Sequence, residues 1–203
     1  MKFYKLLIDS EDNPNNKKFH STNITIDESS LGFNRYDTDS GNPLINWSEN
    51  IVAKYEFNKN YPVADYITTN LGWFLISSKF KDLLVEMDIK GLEFYPLILK
   101  CTNQVDMELL TFLANILVVI DFNVAVDLKR SKYFYYELNN GKRLISFTNH
   151  CLKSSAINKY DIFRLSDNTF PIFISEKVKK AIEDHGITGC DFLEIEITND
   201  LTS

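Results

Sequence analysis

A chain of 203 residues with a 44% apolar share, seven glycines and five prolines has the make-up of a folded globular protein, not of a disordered or fibrous one. Its formal charge of −6 argues against a nucleic-acid binder, which needs basic surface to neutralise phosphates, and suits a basic protein partner. Three cysteines (Cys101, Cys151, Cys190), far apart and without CxxC or Cys/His spacing, argue against a disulfide framework or a zinc site and fit reduced cytoplasmic thiols.

In chain order, residues 3–8 alternate weakly and predict a first strand. The apolar run from Met1 to Asp9 is too short for a signal peptide. Asp9 to His20 is polar around Asn-Pro-Asn-Asn and reads as a loop. A short strand is expected at Asn23–Ile26, and residues 27–50 read as irregular, anchored by Trp47. Ile51–Phe57 alternates as a strand, and Tyr61-Pro62 turns the chain.

The segment Trp73–Leu99 is followed 98 positions later by a similar one, Pro171–Ile197, without a gap. Ile76 matches Ile174, Ser77 matches Ser175, Gly91 matches Gly189 and Phe94 matches Phe192. Each reads as strand, helix, strand. Phe74–Ile76 and Ile172–Ile174 are the first strands, and Ser77 and Ser175 stand where a helix N-cap belongs. Phe80, Leu83, Leu84 and Met87, or Val178, Ala181 and Ile182, recur at helical spacing. Lys79, Lys81, Lys177, Lys179 and Lys180 take the wet face. The helices stop before Gly91 and at His185-Gly186. Second strands follow at Leu92–Leu99 and Cys190–Ile197.

Between the segments, Leu109–Ile120 is nearly all apolar but falls short of the roughly 20 residues a membrane-spanning helix needs. Its β-branched end favours a buried strand, while a helix over Asp106–Leu113 stays open. Phe122–Ser131 reads as a polar connector. Tyr133–Leu138 and Arg143–Phe147 flank Asn-Gly, the signature of a β-hairpin. Asp161–Leu165 is a further strand, and residues 201–203 a tail. The sum is α+β, with mostly antiparallel or mixed sheets and two similar strand–helix–strand units in a single domain over 1–203.

Catalytic patterns are sparse. His20, His150 and His185 lie in unrelated contexts, and no GxSxG, HExxH, P-loop or GxGxxG occurs. Asp121, Asp127, Ser131 and Arg164 are the carriers an enzyme or small-ligand protein with a cleft between the two units would use. A hydrogen bond between Asp127 and Ser131 across one turn is the ordinary alternative. Binding is the better reading, because aromatic residues dominate interface hot spots. Trp47, Trp73, Tyr95 and the run Tyr133-Phe134-Tyr135-Tyr136 are candidates, with one alternate pair of that run facing solvent. The acidic stretch Asp27, Glu28, Asp37 and Asp39, with Trp47, is the expected contact patch.

Gly72-Trp73-Phe74-Leu75-Ile76-Ser77, Phe80, Leu83-Leu84 and Gly91-Leu92-Glu93-Phe94-Tyr95-Pro96 form a recognisable order. So do Asp121, Asp127, Ser131, Ile162-Phe163-Arg164, Ile172-Phe173-Ile174-Ser175 and Gly186-Ile187-Thr188-Gly189-Cys190-Asp191-Phe192. Over residues 60–197 this resembles a bacterial immunity-protein family of polymorphic toxin systems. The resemblance implies a cytoplasmic protein that binds and blocks a cognate secreted toxin; a basic toxin such as a nuclease would suit the acidic balance. It implies no catalysis and no cofactor.

Overall fold

The structure, a computed structural model, describes residues 1–9, 24–48, 51–57, 59–60, 62–137 and 143–199. The expected loop with His20, the Asn139–Lys142 turn and the 201–203 tail lie outside the described residues.

The chain begins with strand β1 (Phe3–Ile8) and the short β2 (Thr25–Ile26). Residues 27–48 are not wholly irregular: they hold two 3-10 turns, Glu28–Ser30 and Arg35–Asp39, each opened by a side-chain cap from Asp27 or Asn34. There follow β3 (Val52–Tyr55), β4 (Tyr66–Ile67), β5 (Leu75–Ser77), α1 (Ser78–Glu86), β6 (Leu92–Cys101) and β7 (Glu108–Ile116). Next come β8 (Val119–Ile120), α2 (Phe122–Ala125), β9 (Lys132–Glu137), β10 (Arg143–Asn149), β11 (Cys151–Lys153) and α3 (Ser154–Ile157). The chain closes with β12 (Ile162–Leu165), β13 (Asn168–Ser175), α4 (Glu176–Asp184), β14 (Cys190–Glu194) and β15 (Glu196–Thr198).

The fold is α+β. One sheet has the order β2-β3-β6-β7-β5-β4 and a second β14-β1-β13-β12-β8; β9-β10 and β11-β15 are separate pairs. In the first sheet β5 and β6 both run antiparallel to β7, which lies between them. In the second, β13 and β14 both run antiparallel to β1, which lies between them. Helices α1 and α4 therefore each connect two strands that point the same way and leave room for a third.

Strand alternation divides the apolar residues into three cores. Phe74, Ile76, Ala114 and Ile116 of the first sheet and Tyr4, Leu6, Ile172 and Ile174 of the second face a central core. Phe80, Leu83 and Leu84 of α1 and Val178 and Ile182 of α4 fill it. Neighbouring positions turn the other way. Leu75, Leu97, Leu99 and Leu113 meet the N-terminal segment, while Phe3, Phe163 and Phe173 meet α2, α3 and β11.

The two helices start with the same chemistry. Ser77 Oγ accepts from Phe80 N (3.2 Å) and donates to Asp65 Oδ1 (2.6 Å). Ser175 Oγ accepts from Val178 N (3.4 Å) and donates to Asp161 Oδ1 (2.6 Å). Lys79 lies 3.9 Å from Asp65 and Lys177 3.5 Å from Asp161. At the other end, Asp88 and Gly186, 98 positions apart, take left-handed conformations with φ +54 and +57.

Several expectations change. The residue that ends α1 in the left-handed conformation is Asp88; Gly91, at φ +76, lies beyond it, where an added Cβ would strike the Val118 side chain. Lys81 and Lys179 are not simply on the wet face. Lys81 lies over the Phe112 ring, and Lys179 over Tyr4 and Phe192, so apolar stems are covered while the ammonium faces a ring. The open helical reading of Asp106–Leu113 gives way to β7, whose residues serve two cores by alternation, which a helix there would not do. The expected connector at Phe122–Ser131 includes α2, capped by Asp121 and holding Phe122 and Ala125 in the third core. The strand expected over Cys190–Ile197 divides: β14 pairs with β1, then β15 leaves to pair in parallel with β11.

Candidate partner-binding surfaces

The expected contact residues belong to a layer on the outer face of the first sheet. Trp73 is 3% exposed and donates its indole N–H to Arg35 O (3.2 Å). Trp47, half-buried, donates to Pro96 O (3.1 Å) and packs on Phe33, Trp73 and Tyr95. Tyr95 accepts from Leu44 N (2.9 Å) and donates to Glu93. Their polar ends are thus committed inside the layer, as buried Trp and Tyr require.

The four acidic residues do not form one open patch. Asp27 accepts from Ser29 N and Oγ (3.0 and 2.7 Å), and these bonds hold its carboxyl below the usual range. Glu28 pairs with Arg35 (2.7 Å), and Asp37 accepts from Asn34 N (3.1 Å) in a capping box. Asp39 turns inward to Arg164 (3.2 Å), whose side chain is 4% exposed. Burial pushes the Asp39 carboxyl up and the Arg164 guanidinium down, outweighing their mutual attraction. Asp27, Glu28 and Asp37 lie at the surface beside exposed Tyr36.

A second surface is more apolar. All six residues of β9 are exposed, so both alternate pairs of the Tyr133–Tyr136 run face solvent, where one pair was expected. The cause is tertiary: among the described residues β9 pairs only with β10, in a sheet of two strands. The ribbon is fastened at its base. Phe147 stacks on His150 (4.4 Å) and packs on Phe122 (5.7 Å). His150 is 4% exposed and meets Phe173 edge-on (5.2 Å). Burial, helped by nearby Lys5, pushes its imidazole down to about 4, so it is neutral at pH 7. Between the ribbon and the turn joining β12 to β13 lies a cleft of about 480 Å³, with Tyr136, Phe147 and Phe170 on its walls and Lys5 and His150 within it. Sequence reading missed Phe170 (75% exposed), Lys5 and His150; none sits in a motif that signals exposure or convergence.

The four residues of the enzyme alternative are each engaged in separate local contacts. Asp121 caps α2 through Asn123 N (2.7 Å). Asp127 accepts from Lys129 N (3.0 Å) and Arg130 N (3.3 Å). Ser131 N donates to Asp127 O (2.9 Å), the bond expected across one turn, and Ser131 Oγ accepts from Cys151 N (3.0 Å). Arg164 holds Asp39 and the Thr169 and Phe170 carbonyls. The volume between the two sheets is occupied by the side chains of α1 and α4. Among the described residues no His, Cys, Asp and Glu group has metal-binding geometry. Burial raises the Cys151 thiol to about 11, which leaves it protonated and unreactive. Among them, no helix is long and apolar enough to cross a membrane.

Comparison with curated proteins gives no match. A family model described as "Immunity protein family (Imm11)" matches residues 2–196, nearly the whole chain. By this match, which covers nearly the whole chain, the chain belongs to the Imm11 immunity protein family.

Proposed function

We propose that the protein is an immunity protein that binds and neutralises a cognate secreted bacterial toxin in the cytoplasm of the producing cell. Family membership over residues 2–196 carries this reading. It acts by occupying the toxin, without catalysis or a cofactor. Residues 1–203 work as one domain in which 73–99 and 171–197 are copies of one unit; the matching Asp-Ser-Lys constellations at the helix starts support this.

The contact set includes Asp27, Glu28 and Asp37, with Asp39, Trp47, Trp73 and Tyr95 as the scaffold that presents them. With a net charge of −6, the chain would attract a basic toxin such as a nuclease, and complementary charge mainly accelerates encounter. The test is deletion of the gene in a strain that carries an active neighbouring toxin. Growth arrest, relieved by the chain supplied in trans, is expected; unaffected growth rejects the proposal. Charge reversal at Asp27, Glu28 and Asp37 should slow association at low salt and matter less at high salt.

A further inference from the structure

Strand β1 sends Phe3 into the third core and Tyr4 and Leu6 into the central one. Lys5 breaks the apolar series on the Phe3 face. It stands between Phe173 of β13 and Leu193 of β14 in the register. It is half-buried, and burial alone lowers its ammonium from the ordinary value. Among the described residues its ammonium makes no hydrogen bond or ion pair. A desolvated cation without a counter-charge is unfavourable, and a carboxylate arriving from outside would relieve it.

The surroundings suit such an arrival. Lys5 opens into the cleft of about 480 Å³, a size that admits an acidic side chain with one apolar neighbour. Ser146 and Thr169 line it as hydroxyl donors, and Tyr136 and Phe170 supply exposed ring surface. Asp167, also on the lining, is exposed and is not among the causes acting on Lys5.

We propose that this cleft seats an acidic residue of the bound toxin, its carboxylate on Lys5 and an adjoining apolar side chain against Tyr136 and Phe170. The identity of the occupant rests on the immunity reading; the carboxylate preference of the cleft does not. Opposite-sign contacts at two separate places, acidic at Asp27–Asp37 and basic at Lys5, would set the orientation of a partner.

The experiment uses the full chain and three probes at millimolar concentration, followed by NMR. They are the peptide acetyl-Phe-Glu-Phe-amide, its glutamine counterpart, and glutarate. Shifts at Lys5, Tyr136 and Phe170 with the glutamate peptide are expected, with about tenfold or weaker binding for the glutamine peptide and for the Lys5→Met chain. Lys5→Met should unfold no more easily than wild type, since it removes an uncompensated charge. Equal binding of both peptides, or no shift with either, overturns the carboxylate site. Glutarate bound as tightly as the peptide assigns the cleft to small carboxylates and overturns docking. Against the purified toxin domain, Lys5→Met should lose about tenfold in affinity. A toxin that binds both chains alike overturns the seat alone, whereas one that wild type fails to bind overturns the immunity reading and the occupant with it.

Discussion

The N-terminal aromatic layer and the β9–β10 ribbon use the same residue types in opposite ways. In the layer, Trp47, Trp73, Phe33 and Tyr95 rest against a six-stranded sheet, and every indole and phenol finds a hydrogen-bond partner. In the ribbon, Tyr133, Phe134, Tyr135 and Tyr136 are 36–55% exposed on a two-stranded sheet. Aromatic surface stabilises a fold when a sheet lies beneath it, and remains available to a partner when none does.

The comparison can be broken most strongly at Trp73. Trp73→Ala should cost about 3–5 kcal/mol in urea unfolding, because it opens a cavity and leaves Thr38 Oγ1 as the remaining donor to the Arg35 carbonyl. A loss below about 1 kcal/mol would mean the layer is not a core.

The next effect concerns the tie between the layer and the second sheet. Asp39→Ala leaves the buried Arg164 guanidinium without its counter-charge and should cost about 3 kcal/mol. Adding Arg164→Met should recover much of that loss; no recovery in the double-mutant cycle would contradict a direct pairing.

At the foot of the ribbon, the imidazole of His150 is pushed from its ordinary 6.5 down to about 4. Between those values the unfolded chain binds a proton that the folded chain refuses. Stability from this group is therefore complete above pH 6.5 and is lost as pH falls toward 4, by about 3 kcal/mol. His150→Gln should flatten the acid limb of the stability profile relative to wild type; parallel profiles would count against a buried neutral imidazole.

The smallest expected effect on folding is Phe134→Ser, within about 0.5 kcal/mol of wild type. The same change should weaken toxin binding measurably, which separates the ribbon's contribution to binding from the layer's contribution to stability. Unchanged affinity would leave the ribbon outside the interface.

Local order was written in adjacent residues. Ser77 and Ser175 cap their helices, Phe80-Leu83-Leu84 and Val178-Ile182 face inward, and the short runs at 3–8 and 162–165 are strands, because caps and local sequence patterns act over a few positions. The α+β class and the immunity-family likeness follow from these local signals. What only the tertiary structure decided was which surfaces stay open. Trp73 and Phe134 look alike in the chain, and their exposures differ because residues far away do or do not cover them. Asp39 looks like its acidic neighbours until Arg164, 125 positions on, draws it inward. Lys5 sits in an ordinary strand until Tyr136 and Phe170 make a cleft around it. Burial is set by packing between elements distant in sequence, and neither periodicity nor composition encodes it.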